Sequence, residues 1–579
     1  MDALLTKTKA GTKISGSEAL LRCLVAEGVQ TIFGYPGGAI MPVYDALYHY
    51  SEKLNHILVR HEQGAIHAAQ GYARVSGKPG VAFATSGPGA MNLVTGLGDA
   101  LIDSTPVVCI TGQVAEHLLG TDAFQEADVI NTTLPVTKWN VQISEAASIP
   151  SQVAKAFYIA RSGRPGPVLI DITKNAQFEM MDEFEYEPCH HVRTYSPKPQ
   201  IDLSAVEEAA GLINNARRPY ILAGQGVLLS GASQELIAFA EKTGVPVAST
   251  LLGLSCIPTN HPLYVGFLGM HGNYGPNILT NECDLLIAVG MRFDDRVTGN
   301  VSKYAKQAKV IHIEIDQAEI NKIIRADVAV HADAKEALTA LIPRVKPNAH
   351  PEWLNKFHDA HRKEHEKVIQ FDFYPLTEGL RMGEVIRELA EQTKGEAIIV
   401  TDVGQHQMVT SRYYPFRSQR THVTSGGAGT MGFALPAAMG AALAEKQKQV
   451  VAVIGDGGFQ MTLQELGTIM QYRIPVKILL LNNNFLGMVR QWQQLFFDGR
   501  YSFTEMKNPN FVALTEAYDI PAKKVSERKY LKATISEMLK TDGPFLVEAV
   551  VEKEENVFPM VPTGAGVAEI ILEASVKTK

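Results

Sequence analysis

At 579 residues the chain is too long for one hydrophobic core, and three or four domains of ordinary size are expected. With 46% hydrophobic and 20% charged residues its composition is that of a globular protein, and no apolar run is long enough to span a bilayer. A formal charge of −7 argues against a nucleic-acid-binding surface, and five scattered cysteines (Cys23, Cys109, Cys189, Cys256, Cys283) without metal spacing fit a reducing, cytoplasmic setting.

Residues 1–13 have no h-region and little Arg, so they read as a loose tail and not as a targeting signal. The pattern Ser15-Gly16-Ser17-Glu18 predicts a capped helix start, with Ala19, Leu20, Cys23 and Leu24 as its apolar face and Gly28 as its stop. A strand-like TIFGYP then leads to the turn Gly37-Gly38. A second strand, Ile57 to Val59, runs into Arg60-His61-Glu62, where a helix begins. A carboxylate at such a junction favours the helix N-terminus by about 0.3–1 kcal/mol whatever else it does. The next strand ends at Ser86-Gly87-Pro88-Gly89, whose glycines allow close backbone approach, and Asn92 follows in a helix. After the strand VVCITG come Gly120 to Glu126, the turn Gly163 to Pro167, and the strand Val168 to Ile172. Residues 187–200 are Pro-rich and polar and read as an exposed linker; His190-His191 there has no third ligand nearby.

Between about 201 and 345, strand-like runs (Tyr220–Ala223, Leu285–Val289, Val310–Ile315) alternate with helical segments. Gly224-Gln225-Gly226 follows the first run but falls short of a GxGxxG fingerprint. Residues 346–375 are charged and predict a solvated linker helix.

From about 376 the strand-glycine-helix rhythm returns. The run Val450 to Ile454 has the β-branched, apolar character of a buried parallel strand and stops at Gly455-Asp456-Gly457. A helical segment and a second run, Val476 to Leu481, end at Asn482-Asn483-Asn484. Two parallel strands joined by a helix place their ends on the same sheet edge, so Asp456 and the Asn cluster should lie close in space. A carboxylate with amide oxygens suits Mg²⁺, which is usually shared with a phosphate, and glycines at a helix start favour a diphosphate. The same letters also fit an ordinary strand-turn-helix. The segment NVFPMVPTGAG after residue 550 suits a mobile cover over a site.

The spacing from GDG to NN resembles the signature of thiamine diphosphate enzymes. The motifs FGYPGGA, RHEQGA, TSGPGA, GTDAFQEAD, SGRPGPV, LGMHG, MRFDDRVTGN, DVGQHQM, GTMGFALP and LGMVRQWQ, in this order, resemble the acetohydroxyacid synthase (biosynthetic acetolactate synthase) catalytic subunits over nearly the whole chain. Departures are Lys174-Asn175, where many relatives have Lys-Asp, and Asn484-Phe485-Leu486, where several have other residues.

The resemblance implies three Rossmann-like doubly wound α/β parallel-sheet domains. These are a pyrimidine-binding domain (1–190), a middle FAD-associated domain (191–345) and, after a linker (346–375), a diphosphate/Mg²⁺-binding domain with a C-terminal lid (376–579). It implies that Asp456, the Asn483 side chain and the Phe485 carbonyl hold Mg²⁺. Glu62 would be the proton partner of the thiamine pyrimidine. Ser86, Asn92, Val403, Gly404, Gln405, His406, Gly429, Met431, Gly455, Gly457, Gly458, Gly487 and Met488 would surround thiamine diphosphate, Met431 supporting its bend. Arg296 would grip the carboxylate of the second substrate, although pairing with Asp294 or Asp295 is the simpler expectation. Trp492 would favour the extra methylene of 2-ketobutyrate, and Phe124, Gln125, Val403 and Met270 would line the same cavity. FAD would contact Arg164, Gly224, Gly226, Met270, His271, Gly272, Gly290, Arg292 and Asp316 and play a structural part.

The implied reaction decarboxylates pyruvate and passes the two-carbon unit to a second pyruvate, giving 2-acetolactate, or to 2-ketobutyrate, giving 2-aceto-2-hydroxybutyrate. This is the first common step of branched-chain amino-acid biosynthesis. A homodimer or homotetramer with a separate small regulatory subunit is expected, with neither nucleic acid nor membrane as partner. The rival readings are a catabolic, FAD-independent acetolactate synthase, a pyruvate oxidase, and a non-catalytic regulatory subunit. Joint retention of Glu62, Asp456 and Asn483 argues against the last.

Overall fold

The computed structural model describes residue 7 and residues 12–574, so most of the expected N-terminal tail lies outside the described residues. The chain forms two compact units. One comprises Met1–Pro197, Gly427–Val450 and Met461–Val476; the other comprises Lys198–Gly426, Val451–Gln460 and Lys477–Lys579.

The first unit carries a six-stranded parallel sheet of β1 (Thr31–Gly34), β2 (Asn55–Leu58), β3 (Gly80–Ala84), β4 (Val107–Gln113), β5 (Trp139–Ile143) and β6 (Val168–Thr173), in the order β2-β1-β3-β4-β6-β5. β3, β4 and β6 are buried along their whole length, as near-continuous apolar runs require when both faces are covered. The helix Gly16–Ala26 starts where the sequence places it: Ser15 accepts from the Glu18 N–H at 3.2 Å, and Gly28 takes the positive φ of 77° just past its end.

The helix Glu62–Ser76 is covered on two sides by backbone at very short range. Gly80 of β3 faces the Ala69 carbonyl so closely that a Cβ there would collide with it. On another side lies the helix Ala434–Ala444, from far along the chain. A Cβ on Gly71 would strike the Ala437 carbonyl, and one on Gly440 the Ala68 carbonyl. Glycine is required at these positions because two main chains touch.

The second unit holds two further six-stranded parallel sheets. The first is built from β7 (Pro219–Ala223), β8 (Val247–Ser249), β9 (Tyr264–Phe267), β10 (Leu285–Val289), β11 (Lys309–Glu314) and β12 (Val328–His331), ordered β9-β8-β7-β10-β11-β12. The second is built from β13 (Ile398–Thr401), β14 (His422–Thr424), β15 (Val450–Gly455), β16 (Val476–Asn482), β17 (Ala522–Val525) and β18 (Phe545–Val550), ordered β14-β13-β15-β16-β18-β17. Counted within each sheet, the last order is that of the first unit's sheet. The middle sheet instead has the 3-2-1-4-5-6 order of dinucleotide-binding folds. In both patterns the winding direction reverses beside the first strand, and ligands collect outside the strand ends there.

Two segments differ from the sequence-based expectation. The helix Pro351–Glu364, expected to be solvated, buries Trp353, Phe357 and Ala360, and the Trp353 indole N–H donates to the Pro219 carbonyl at 2.8 Å. Most of its charges are exposed, but Glu364 is buried and accepts from Asn273 Nδ2 at 3.0 Å and the Tyr274 N–H at 2.8 Å. In the segment expected as a cover, Val557, Met560 and Val561 are buried. Gln491 holds the Val557 backbone N–H at 2.9 Å and its carbonyl at 3.1 Å, and the Val561 N–H donates to the Met270 carbonyl at 2.8 Å. Apolar residues alternating with Pro made this stretch look loose, but they pack it into the second unit. Cys23, Cys109, Cys256 and Cys283 are buried thiols and Cys189 is half-buried.

Candidate functional site: oxygen donors and glycine turns at the sheet switch points

In the last sheet, the reversal lies between β13 and β15. Both strands are apolar and end in polar-glycine turns, Asp402-Val403-Gly404-Gln405 after β13 and Asp456-Gly457-Gly458 after β15. The turns press on one buried imidazole: a Cβ on Gly404 would stand 2.8 Å from the His406 ring and one on Gly455 2.7 Å. Burial lowers His406 to about 3, so the ring is neutral, and its Nε2 has no hydrogen-bond partner among the described residues. Gly458 lies against the buried Asp402 carboxylate, and Gly487 against the Gln405 side chain. Gln405 is fixed in turn by Gln491 Oε1 at 2.9 Å and the Glu555 carbonyl at 2.8 Å. Val403 and Met488 are half-buried beside these turns.

β15 and β16 are neighbours, and their ends converge as parallel pairing demands. Asp456 is 1% exposed, and burial pushes its carboxyl up to about 6. The Asn508 amide spans the gap, donating to Asp456 Oδ2 at 2.6 Å, Asn482 Oδ1 at 3.0 Å and Asn484 Oδ1 at 3.1 Å. Asn483, between those two, is 3% exposed; its Oδ1 accepts from the Phe485 N–H at 3.1 Å and its Nδ2 faces Gln405 Oε1 at 3.4 Å. A buried carboxylate and amide oxygens with no nitrogen or sulfur donor form a hard set, so the residues fit Mg²⁺. The sequence pattern found Asp456 and Asn483 but missed Asn508, which comes from a loop with no motif of its own.

The helix that follows, Gly487–Phe496, carries Trp492, half-buried and packed at a 46° tilt against Phe496 with ring centroids 5.2 Å apart. Its Arg490 is fully buried, held by the Glu555 carbonyl at 2.6 Å and Asn556 Oδ1 at 2.8 Å, and ties the helix to the 555–557 segment.

In the middle sheet the reversal lies beside β7, whose end (Gly224-Gln225-Gly226) meets the end of β10 (Gly290-Met291-Arg292). The contact is backbone on backbone: a Cβ on Gly226 would be 2.6 Å from the Gly290 Cα, and Gly290 takes a φ of 57°. Asp316, just beyond β11, accepts from the Ala318 N–H at 3.0 Å. His271 is buried and lowered to about 3 by burial, with Arg412 and Arg296 adding to the effect. Gly272 is buried beside it and its backbone N–H donates to the Gly269 carbonyl. Arg296 and Met270 come together, the guanidinium facing Met270 Sδ at 3.2 Å and the Met270 N–H donating to the Arg296 carbonyl at 2.8 Å. The simpler expectation for Arg296 is weakly met. Asp295 is 3.7 Å away and exposed, and the Asp294 carboxylate instead caps the Arg296 and Val297 N–H groups.

In the first unit, Glu62 is 8% exposed at the first position of its helix, behind the cap His61. Its Oε2 accepts from Asn92 Nδ2 at 2.9 Å, and its Oε1 faces Gly89, where a Cβ would stand 3.1 Å away. Asn92, expected beside the cofactor, is placed next to Glu62 by this bond. Glu465 supports the same turn, accepting from the Arg60 N–H at 3.0 Å, the His61 N–H at 3.1 Å and the Thr468 hydroxyl at 2.7 Å. Ser86 is buried, and Gly87, at φ 58°, lies against Gln125. The 120–126 loop is closed on the Glu126 carboxylate by the Gly120 and Ala123 N–H groups and leaves Phe124 87% exposed. Arg164 donates to Ser104 at 2.9 Å. Gly429 (φ 65°) and half-buried Met431 sit in a loop anchored by Asp103, which accepts from the Gly427 N–H at 2.7 Å, and by Asp99, which accepts from the Thr430 hydroxyl at 2.8 Å. No group of three or more metal-ligating His, Cys, Asp or Glu side chains occurs among the described residues, and no described helix is long and apolar enough to cross a membrane.

Residues 14–132 match the N-terminal TPP binding domain of thiamine pyrophosphate enzymes, 206–341 the central domain and 402–549 the C-terminal TPP binding domain. Among curated proteins the chain is 45% identical to the acetolactate synthase large subunit of Lactococcus lactis, covering 98% of both chains. It is 43% identical to the acetolactate synthase isozyme 2 large subunit of Escherichia coli, covering 97% of this chain and all of that one. With chloroplastic acetolactate synthase 2 of Nicotiana tabacum it shares 44% identity over 96% of this chain and 85% of the relative. Three thiamine pyrophosphate enzyme domains in sequence, and this identity over nearly every residue, place the chain in the acetolactate synthase large-subunit family of thiamine diphosphate-dependent enzymes.

Proposed function

We propose that the chain is the catalytic subunit of a biosynthetic acetohydroxyacid synthase. It decarboxylates pyruvate and joins the two-carbon remainder to a second pyruvate or to 2-ketobutyrate, yielding 2-acetolactate or 2-aceto-2-hydroxybutyrate. The observation that carries the reading is the buried oxygen set of Asp456 and Asn483 at a sheet switch point, within a chain of this family.

Asp456, Asn483 and the Phe485 carbonyl would hold Mg²⁺, and the turns at 403–406, 455–458 and 487–488 would hold the diphosphate. When bound, thiamine diphosphate supplies a nucleophilic carbon and an electron sink. Glu62 would be the proton partner of the pyrimidine ring; Asn92 donates to its Oε2, which leaves Oε1 for that role. Met431 would support the bend of the cofactor, with Gly429 beside it and Ser86 and Asn92 near Glu62 as further contacts. Arg296, whose pairing with Asp295 is long, grips the carboxylate of the acceptor 2-keto acid. By the family resemblance Trp492 would favour the larger acceptor, and Phe124 and Gln125 would be further contacts of the acceptor 2-keto acid.

FAD would lie at the middle sheet, whose strand order suits a dinucleotide, against Gly224, Gly226, Gly272, Gly290, Arg292 and Asp316, with Met270, His271 and Arg164 as further contacts. The exposed Phe124 and Phe503 support assembly of the chain into a homodimer or homotetramer, joined by a small regulatory subunit in the cytoplasm. Domain boundaries near residues 190, 345 and 375 accompany this reading.

Product analysis tests it. The purified chain with pyruvate, 2-ketobutyrate, Mg²⁺ and thiamine diphosphate should form more 2-aceto-2-hydroxybutyrate than 2-acetolactate at equal substrate, and should need FAD. 2-Acetolactate alone, formed without flavin, would mark the catabolic enzyme; acetate or acetyl phosphate with peroxide would mark an oxidase.

A further inference from the structure

We infer that Asn508 is a positioning residue for the cation site, setting the separation between the Asp456 carboxylate and the Asn483 turn. The inference rests on the cation reading above and assigns a role to a residue outside the donor set.

The Asn508 nitrogen offers two hydrogens to three oxygens, Asp456 Oδ2 at 2.6 Å, Asn482 Oδ1 at 3.0 Å and Asn484 Oδ1 at 3.1 Å. These oxygens come from two strand ends, those of β15 and β16. Asn482 and Asn484 flank Asn483, so the amide holds the turn on both sides of the ligand without touching the ligand itself. Just past the strand end Asn484 takes a left-handed φ of 56°, and in this turn 482 and 484 face Asn508 while Asn483 turns toward Gln405.

Asn508 is itself oriented. Its Oδ1 accepts from Gln460 Nε2 at 3.0 Å, and the same Gln460 nitrogen donates to the Asp456 carbonyl at 3.1 Å. Gln460 sits one turn along the helix that Asp456 opens, so helix, carboxylate and amide form a closed ring of hydrogen bonds. That bond also fixes which end of the Asn508 amide faces the three oxygens. Backbone pairing delivers Asn508 to this place: the Met506 N–H donates to the Asn484 carbonyl and the Leu486 N–H to the Thr504 carbonyl, each at 2.8 Å. The arrangement has the form of an outer-shell support, whose loss commonly weakens metal binding about 10–100-fold.

The test is a Mg²⁺ titration of thiamine diphosphate binding to the full-length protein, followed by tryptophan fluorescence or equilibrium dialysis. Asn508→Ala should raise the half-saturating Mg²⁺ concentration about tenfold or more while leaving the melting temperature of the cofactor-free protein unchanged. Gln460→Ala, which removes only the strut behind Asn508, should shift the same concentration in the same direction by less. An unchanged Mg²⁺ requirement in a folded Asn508→Ala protein overturns the inference. So does an Asn508→Ala chain that fails to fold while Gln460→Ala titrates like wild type, because the role is then structural only. Failure of the wild-type protein to bind thiamine diphosphate with Mg²⁺ would remove the underlying reading and the inference with it.

Discussion

Glu62, Glu465 and Trp492 show how differently single residues declare themselves. Glu62 is a carboxylate at a helix start, a common thing, and its role came into view only through the surrounding family motif. Glu62→Gln keeps the shape and removes the proton acceptor, so kcat should fall about 10²–10⁴-fold while thiamine diphosphate binding survives; undiminished turnover would remove the assignment. Trp492→Leu should narrow the preference for 2-ketobutyrate over pyruvate, with a ceiling of about 1–3 kcal/mol because one methylene is at stake; competition between the two acceptors in one vessel measures it. Glu465 carried no sequence signal. Its partners are the main-chain N–H groups of Arg60 and His61, some four hundred positions away, and an acceptor role toward backbone leaves no complementary residue to recognise. Asn508 escaped because its loop carries no motif of its own.

Glu465 also predicts a pH effect. Burial pushes its carboxyl from 4.5 up to about 7, so the folded chain holds this proton more tightly than the unfolded one. Its contribution to stability is complete below pH 4.5 and is lost as the pH rises through about 7. Glu465→Gln, an uncharged isostere of the protonated carboxyl, removes that dependence. The drop in melting temperature between pH 5 and pH 8 should therefore shrink. An unchanged drop would assign the slope to other buried carboxylates, such as Glu555 and Asp171.

Elements were easier to read than residues where burial is two-sided. Runs such as Val450–Ile454 and Val476–Leu481 are continuous because a central parallel strand meets helices on both faces, and their ends fell within a residue or two of the observed ones. Amphipathic pieces with local irregularity were harder. Helix Pro351–Glu364 carries enough charge to look solvated although Trp353, Phe357, Ala360 and Glu364 are buried. Helix–helix contact made by glycine and alanine was invisible, since small residues give no strong periodic signal. The paired helices Glu62–Ser76 and Ala434–Ala444 supply a clean test. Gly440→Ala should destabilise by about 1–3 kcal/mol through overpacking, because the new methyl meets the Ala68 carbonyl. Gly211→Ala, in the helix Leu203–Asn215 with nothing within 4 Å of its Cβ, should instead be neutral or stabilise by up to about 1 kcal/mol. Equal effects of the two in thermal melts would contradict the close-packing account.

For the whole molecule, the three-sheet α/β class followed from the recurring strand-glycine-helix rhythm and from the family motifs, but the strand orders did not. Hydrophobic runs fix which segments are strands; they say nothing of which neighbour each one chooses. The identical order of the first and last sheets, with no visible sequence repeat, is a likeness that only pairing reveals. Nor does the sequence indicate that residues 427–450 and 461–476 are compact with the first 197 residues. A fragment of residues 1–197 should consequently lack a cooperative thermal transition and gain one when a peptide spanning 427–476 is supplied; a sharp transition in the fragment alone would show that the missing helices are dispensable.

That discontinuity bears on how the chain is made. A ribosome adding about 5–20 residues per second completes the first sheet long before it reaches the helix Ala434–Ala444. For roughly 10–50 s the Ala68–Gly71 ridge of the helix Glu62–Ser76 faces water with its partner still unmade. A nascent chain in that condition is a natural client for a holding chaperone. The yield of folded protein should respond to elongation speed between codons 198 and 426 more than to any change of sequence on the surface.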